Sequence, residues 1–210
     1  MTEPSRGMSP SEAWAALSEG NARFVRGEMA HPSQDVDQRA RIAAAQYPFA
    51  VIFGCSDSRV AAEIIFDQGL GDVFVVRTAG HVVDTSVLGS IEYGVEVLGA
   101  ALVVVLGHAE CGAVAAANHA LVTGERPNGF VRAIVDRVIP SIVGPDGRAG
   151  SEAPEPPVVL REHVRNTVRM LHSYSAALAA AVADGRCAVV GAEYALAEGD
   201  VSVVETLGHV

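Results

Sequence analysis

The chain has 210 residues, of which 50% are hydrophobic and 19% charged, and its formal net charge at pH 7 is -10. This size and apolar content predict one well-buried domain, and an acidic chain without clusters of Lys and Arg disfavours nucleic acids and anionic membranes as partners. Because no apolar run approaches the roughly 20 residues of a membrane helix and the first residues lack a secretory signal pattern, we expect a cytoplasmic protein that acts on a small molecule.

The first 46 residues predict a helical arm. Residues 9–27 carry apolar side chains at helical spacing, behind a Ser-Pro start and before Gly27. Residues 37–45 indicate a second short helix, which ends near Gln46. We expect these helices to find too few packing partners within their own chain.

Residues 47–210 predict an α/β core. Three short β-branched runs without alternation are typical of strands covered on both faces: residues 49–54, 73–77 and 101–107. Helical stretches separate them, at residues 61–69 and 85–99. Strands that alternate with helices indicate a central, mostly parallel β-sheet flanked by helices.

The remaining chain predicts helices at 113–122, 129–139 and 158–183, followed by strands at 187–194 and 201–205. The last strand is expected at the edge of the sheet. The Gly- and Pro-rich residues 144–157 predict a surface loop rather than a linker, because too little chain follows for a second domain. Residues 1–210 are therefore expected to form a single domain.

Three candidate metal ligands follow predicted strands or open the next helix. Cys55 follows the first strand, His108 follows the third, and Cys111 lies three residues later. In an open parallel sheet, functional groups collect outside the carboxyl ends of the strands, so these side chains converge if the first and third strands are neighbours. Two thiolates and an imidazole suit zinc, and three protein ligands leave one tetrahedral position open.

The other cysteine and histidines have simpler interpretations. Cys187 precedes a strand, which places it at the opposite edge of the sheet as a core residue, and a disulfide framework is not expected from three cysteines in a reducing compartment. A surface position is expected for five histidines without a matching partner: His31, His119, His163, His172 and His209.

Four segments resemble, in order and spacing, those of the β-class carbonic anhydrases: CSDSR (55–59), FVVRTAG (74–80), SIEYGV (90–95) and HAECG (108–112). The resemblance covers nearly the whole chain. It implies a zinc lyase that reversibly hydrates carbon dioxide to bicarbonate and a proton by attack of zinc-bound hydroxide, with one Zn²⁺ per chain held by Cys55, His108 and Cys111.

The resemblance also implies that Asp57 and Arg59 form a dyad beside the metal. Asp57 would accept a hydrogen bond from the hydroxide, and Arg59 would hold the carboxylate. Asp57 is near enough to Cys55 in sequence to become a fourth metal ligand, and some family members show this closed form at lower pH. The alternative is a salt bridge that only caps a turn.

Further positions match the family by spacing. Gln46 resembles the glutamine that plant-type members use to hydrogen-bond substrate across a dimer interface, although it could be an ordinary helix-terminal amide. Phe74, Ala79, Tyr93 and Gly112 match positions of the substrate pocket, with core packing as the alternative.

Three positions depart from the family pattern. Thr78 and His81 stand where members commonly carry Asn. His81 could shuttle protons, but a surface histidine is the simpler interpretation. Members with an allosteric bicarbonate pocket carry Trp three residues before the first cysteine, where this chain has Ile52, so no such pocket is expected.

Family members assemble through N-terminal helices that wrap a neighbouring subunit, which implies a homodimer or homotetramer here. Two other functions remain open. One is hydrolysis of carbonyl sulfide or carbon disulfide on the same zinc scaffold. The other is a non-catalytic zinc or redox-sensing protein that uses Cys55 and Cys111 as a thiol pair, although a sensor requires neither Asp57 nor Arg59.

Overall fold

A computed structural model of the chain describes residues 7–143 and 155–210. Its centre is a five-stranded sheet with the strand order β2-β1-β3-β4-β5. The first four strands are parallel and the last is antiparallel to its neighbour. The predicted α/β class, with a mostly parallel sheet and a C-terminal edge strand, is confirmed. The strands are β1 Ala50–Cys55, β2 Val73–Thr78, β3 Leu102–His108, β4 Ala188–Tyr194 and β5 Val201–Leu207.

Helices cover both faces of this sheet. They are α1 Pro10–Arg26, α2 Val36–Arg41, α3 Ala62–Ile65, α4 Thr85–Glu92, α5 Gly112–Thr123, α6 Val131–Val143, α7 Pro156–Tyr174 and α8 Ala176–Ala183. None of these described helices combines the length and the apolar character that a membrane crossing needs. Most of the predicted loop 144–157 lies outside the described residues, and its last two residues already belong to α7.

Every residue of β1 and β3 is buried, which explains why their sequences do not alternate. Val51 and Phe53 face one core, which α4 to α8 cover. Ile52 faces a second core on the opposite side of the sheet, covered by α1 and α3.

Helix α1 is part of its own chain's core. Ala13 and Leu17 are fully buried in the second core, so α1 packs within its own chain, and the expectation that the arm has too few partners there stays a prediction. Its start is defined by a capping box, in which Ser9 and Glu12 bond each other's backbone N–H. Contact of the arm with a second subunit stays a prediction.

Two predicted helices differ from the structure. The stretch 158–183 is broken at Ser175, whose backbone is extended and whose hydroxyl accepts a hydrogen bond from the Leu178 N–H at the start of α8. Because serine is a good N-cap, it ends one helix and starts the next within a continuous apolar pattern. The stretch 85–99 ends as a π-helical turn over Tyr93–Val97.

The sheet order positions the site. Strand β1 lies between β2 and β3, so the carboxyl ends of these three strands meet at one edge of the sheet, at the point where strand order reverses. Cys55 pairs with Thr78 at the end of β2.

Candidate metal centre

Cys55, His108 and Cys111 come together at this edge. Each offers one ligand atom, and these atoms all lie within 4.8 Å of one another. Cys55 ends β1, His108 ends β3, and Cys111 directly precedes α5. All three residues are buried. Neighbouring parallel strands therefore place the three donors where sequence position predicted that they would converge.

The His108 ring is oriented by the backbone of the next residue. Its Nδ1 lies 2.8 Å from the Ala109 carbonyl oxygen, and because a carbonyl only accepts, Nδ1 carries the proton and Nε2 keeps its lone pair. Among the described residues, the buried Nε2 has no hydrogen-bond partner. An unpaired buried acceptor is costly unless something binds it, and metal-binding imidazoles are commonly oriented by a hydrogen bond at the other nitrogen.

The two thiols interact with each other. The Cys111 thiol, whose sulfur lies within 4.8 Å of the Cys55 sulfur, lowers the pKa of Cys55, and Cys55 in turn raises the pKa of Cys111. The backbone N–H of Gly80, 3.2 Å from the Cys55 sulfur, also favours the thiolate. At Cys111, the amides of Ala113 and Val114 at the start of α5 lower the thiol pKa, but the raising effects of Cys55 and burial are larger.

This donor set fits zinc. Two sulfur atoms and one unprotonated imidazole nitrogen, buried and close together, are ligands that Zn²⁺ prefers, and a fourth position stays available for water or substrate. Within residues 7–143 and 155–210, no other group of three His, Cys, Asp or Glu side chains has this arrangement.

Asp57 and Arg59 form a bidentate pair beside the three donors. The Arg59 Nε lies 2.9 Å from Oδ1 of Asp57, and Nη2 lies 2.7 Å from Oδ2. These hydrogen bonds hold the pKa of Asp57 well below its usual range. Asp57 Oδ2 is also 3.9 Å from the unpaired Nε2 of His108. The same carboxylate accepts the Arg59 backbone N–H, so it caps the turn and faces the candidate centre at once.

Arg77 is a site residue that sequence reasoning missed. Its Nε donates to the Cys55 carbonyl at 2.8 Å, and its Nη2 donates to the Asp57 carbonyl at 2.7 Å. The side chain thereby holds the backbone that carries both groups. Its signals in the sequence are a lone charge at the end of the apolar strand VFVVR and a place within the segment FVVRTAG.

The proposed substrate-pocket residues do not line the cavity next to the donors. Phe74 and Tyr93 have ring centroids 6.1 Å apart, and Tyr93 is 46% exposed. Ala79 and Gly112 are exposed. None of these four lines the adjacent cavity of about 420 Å³. That cavity is bounded by His108, Cys111, α5, the first turns of α7, and Glu193.

Gln46 lies at the other end of the sheet from the three donors. It is exposed and precedes β1, whereas Cys55 ends that strand. The Phe49 backbone is hydrogen-bonded to the residues just before β2 and β3, and the six residue steps from Phe49 to Cys55 correspond to about 20 Å along a strand. The structure therefore does not bring Gln46 to the site of its own chain.

The histidines divide into two groups. His31, His119, His172 and His209 are exposed, as expected. The surface positions expected for His81 and His163 are wrong, because the two residues are 0% and 2% exposed. His163 lies on the buried stripe of α7 with Leu160 and Thr167, a helical spacing that the sequence does contain.

One expectation for His81 was that it shuttles protons to solvent. Its complete burial argues against this role, because the ring has no contact with solvent. Burial and the neighbouring His163 and His108 keep the pKa of His81 well below its ordinary value. Thr78, the other departure from the family pattern, donates its hydroxyl to the Val82 carbonyl at 2.9 Å and so closes the turn that contains His81. Cys187 is buried at the amino end of β4, as interpreted from the sequence.

Comparisons with known proteins agree with this site. A family model described as carbonic anhydrase matches residues 50–201. Carbonic anhydrase of Mycolicibacterium smegmatis is 54% identical over 202 residues, which cover 96% of this chain and 97% of that protein. Carbonic anhydrase 2 of Mycobacterium tuberculosis is 53% identical over 204 residues, with 96% of each chain covered.

Two solved structures have the same fold. The Coccomyxa β-carbonic anhydrase in complex with acetazolamide superposes with a TM-score of 0.70 at 26% identity, over 90% of this chain and 85% of its own. A structure from a study of two tetrameric β-carbonic anhydrases of Sordaria macrospora has a TM-score of 0.69 at 25% identity, over 91% of this chain and 95% of its own.

Proposed function

The chain belongs to the β-carbonic anhydrase family, and we propose that Cys55, His108 and Cys111 hold the zinc ion used in its reaction, the reversible hydration of carbon dioxide to bicarbonate and a proton. The observation that carries this proposal is the buried convergence of two thiols with an unpaired imidazole nitrogen. When bound, zinc supplies the nucleophile at neutral pH by lowering the pKa of water towards about 7.

Asp57 orients the nucleophile in this proposal. Arg59 keeps the carboxylate ionised, so Asp57 can accept a hydrogen bond but does not take up the proton at neutral pH. An acceptor fixed at two oxygens selects one orientation of the nucleophile's hydrogen and directs its lone pair at the carbon atom. Arg77 supports this geometry, because it holds the carbonyl groups of both Cys55 and Asp57.

The ion pair with Arg59 also competes with binding of Asp57 to the metal. With Oδ2 of Asp57 3.9 Å from His108 Nε2, release of the carboxylate from Arg59 would let it reach the metal as a fourth ligand. The bidentate pair favours the arrangement in which Asp57 stays off the metal. The closed arrangement stays a prediction.

The proposed active unit contains more than one chain. Gln46 lies at the amino end of the sheet, so a role in hydrogen-bonding substrate requires a second subunit to supply it. Exposure of Tyr93 beside Phe74 supports a partner surface at the same edge strand, β2. We propose a homodimer or a tetramer built from dimers, located in the cytoplasm. No observation favours the sulfur-substrate hydrolase or the redox sensor.

Metal content tests the proposed ligands directly. Purified wild-type protein is expected to contain one zinc per chain, whereas Cys55→Ser and His108→Ala should lose it, because each removes one of three protein ligands. Cys187→Ser, which changes the buried cysteine at the opposite end of the sheet, is the matched control and should keep its zinc. A Cys55→Ser protein that is free of zinc and fully active would overturn the proposal.

A further inference from the structure

A directed chain of hydrogen bonds runs from α6 and α7 to the Cys55 sulfur. The Gly80 N–H donates to that sulfur at 3.2 Å. The Gly80 carbonyl lies 2.8 Å from Nε2 of His163, and Nδ1 of His163 lies 2.9 Å from the Ser141 hydroxyl. The Asn166 amide donates to the same Ser141 oxygen at 2.9 Å.

In each of these hydrogen bonds, the donor and the acceptor can be assigned in only one way. Because the Gly80 carbonyl accepts, His163 must carry its proton on Nε2. Nδ1 is then the acceptor, and the Ser141 hydroxyl donates to it while accepting from Asn166. Burial lowers the pKa of His163, which keeps the ring neutral and preserves this pattern. The tautomer of His163 is thus determined from both sides.

Gly80 is held from outside its own turn. Its backbone is left-handed, with φ 64° and ψ 23°, a conformation that glycine adopts readily. A Cβ at this position would come within 2.7 Å of the Ala113 Cβ at the start of α5. The backbone at Gly80 therefore passes between Cys55 and the helix that follows Cys111, and His163 is the side chain that holds the Gly80 carbonyl.

His81 encloses His163 on one side. The two ring centroids are 4.3 Å apart, and the edge of the Phe53 ring meets His81 with centroids 6.3 Å apart. His81 is fully buried, and within the described residues neither of its ring nitrogens has a hydrogen-bond partner. Packing alone would be served by an apolar residue at 163, so the buried imidazole with two directed hydrogen bonds calls for a further role.

We propose that His163 is a positioning residue for the metal centre: by binding the Gly80 carbonyl it fixes the backbone conformation at Gly80, which directs the Gly80 N–H at Cys55, and it thereby sets how strongly this sulfur binds the metal. A hydrogen bond that fixes the direction of a thiolate keeps it in place for the metal, and groups that orient metal ligands from behind affect metal affinity strongly. The same bond withdraws electron density from sulfur, which by itself would weaken the bond to the metal, so the expected effect on affinity comes from orientation and the electronic effect is measured by absorption energy. The inference rests on the proposed function, because it assumes that Cys55 is a metal ligand.

The test compares variants of the full chain loaded with zinc or with cobalt. His163→Gln keeps an N–H donor within reach of Gly80, whereas His163→Leu has similar bulk and no donor. The exposed His172 lies on the same helix, so His172→Leu is the matched control. The readouts are the rate at which a chelator extracts zinc and the energy of the thiolate-to-cobalt charge-transfer absorption.

We expect His163→Leu to lose zinc at least about 10-fold faster than wild type, in line with the effect of other groups that orient ligands. Its cobalt absorption should shift to lower energy, because a sulfur without its hydrogen bond gives up electrons more easily. His163→Gln should stay near wild type in both readouts, and His172→Leu should match wild type.

Equal shifts in His163→Leu and His163→Gln would overturn the inference, because the donor would then not be the cause. Values for His163→Leu that equal wild type would overturn it as well, while the proposed function would stand. A wild-type protein that takes up neither zinc nor cobalt would overturn both. If His163→Leu does not fold, Ser141→Ala replaces it: removing the hydroxyl that fixes Nδ1 should shift both readouts in the same direction by less, and unchanged readouts there contradict the inference.

Discussion

The Asp57 carboxylate is the residue on which the proposed chemistry depends most. It receives three hydrogen bonds from Arg59, two from the guanidinium and one from the backbone. These bonds explain both its ionisation and its fixed direction. Asp57 is not one of the three donors grouped around the candidate metal position, so its effect on catalysis can be separated from metal binding.

We predict that Asp57→Ala keeps its zinc and loses at least about 100-fold in kcat/KM for carbon dioxide hydration, the magnitude expected when a reacting group loses its orientation. Stopped-flow kinetics and zinc content on the same sample measure both effects. Asp200→Ala, which removes an exposed carboxylate remote in sequence from the ligands, is the control. A variant that loses zinc together with activity would make Asp57 a ligand rather than an orienting group.

Sequence reasoning at the residue scale succeeded where residue type and strand end coincide. Cys55 and His108 could be expected to converge because both end neighbouring parallel strands. His163 and Arg77 were missed for a different reason. Their partners, Gly80 and the carbonyls of Cys55 and Asp57, are backbone atoms far away in sequence, and no side-chain motif records such contacts.

At the scale of elements, Asp67 ties the end of α1 to the core. Its buried carboxylate accepts from the Arg23 Nε at 2.6 Å and from the N–H groups of Ala30 and His31 at 2.9 Å each. Burial alone would raise the pKa of Asp67, but these hydrogen bonds together outweigh it and lower the pKa. The carboxylate is therefore stabilised in its charged form.

We predict that Asp67→Asn lowers the free energy of unfolding at pH 7 by about 1–3 kcal/mol, since it removes charge-assisted hydrogen bonds. Asn tolerates the positive φ of 45° at this position. Because folding lowers the pKa of Asp67, its stabilisation is complete above the unfolded-state pKa of about 3.9 and is lost as the pH falls through the lower folded-state value.

Urea denaturation at several pH values measures this linkage. The stability difference between wild type and Asp67→Asn should be constant near neutral pH and shrink in acid. Asp200→Asn is the matched control, because Asp200 is exposed. A difference that persists unchanged at low pH would show that the charge of Asp67 does not contribute.

Gly20 marks the point where α1 crosses the end of α3. A Cβ at Gly20 would overlap the backbone carbonyl of Phe66, which cannot move without shifting the chain. At Gly89 in α4, by contrast, no atom lies within 4 Å of an added Cβ. The two helical glycines therefore allow packing and helix propensity to be separated.

We predict opposite effects of the same substitution at these positions. Gly89→Ala should raise the free energy of unfolding by about 0.5–1 kcal/mol, the gain in helix propensity. Gly20→Ala should lower it by about 1–3 kcal/mol, because overpacking outweighs that gain. Thermal and urea denaturation measure both. Stabilisation by Gly20→Ala would mean that α1 does not pack against α3 as described.

The strands could be predicted from sequence more closely than the helices. Strands β1 and β3 are buried on both faces, which leaves continuous β-branched runs bounded by polar residues. The break at Ser175 was not predictable from periodicity, because α7 and α8 both continue an apolar pattern. The break is specified by the Ser175 cap and by its 2.6 Å hydrogen bond to Glu92, which lies 83 residues away.

At the scale of the molecule, the position of Gln46 implies that the proposed dimer would share residues between active sites. A residue at the amino end of β1 cannot serve a site at the carboxyl end of the same strand. If Gln46 acts on substrate, it acts in the site of the partner subunit. Sites shared in this way can be reconstructed from two different inactive variants.

We predict that mixing Gln46→Ala with Asp57→Ala restores activity after subunit exchange. In a mixed dimer, the site with an intact Asp57 receives an intact Gln46 from the other subunit. Random exchange makes half of the dimers mixed and one site in each complete, so about a quarter of wild-type activity should return. Mixing that restores nothing, with exchange verified by mass spectrometry, would place Gln46 in its own chain's site or outside catalysis.

The cavity beside His108 and Cys111 lay beyond sequence reasoning, because it forms where α7 packs against α5, at a separation of more than 30 residues. The class of fold and the proposed metal ligands could be predicted without knowing how these helices pack. Strand order alone brings the ligands together, and the order of strands and helices along the chain indicates the fold.

The most direct test of the account is carbon dioxide hydration followed by stopped-flow from about pH 6 to 9, with zinc measured on the same wild-type sample. We predict one zinc per chain and a rate that rises with pH, because the nucleophile is formed by loss of a proton. Stoichiometric zinc with no rate above the uncatalysed background, or full activity in protein free of zinc, would contradict the assignment.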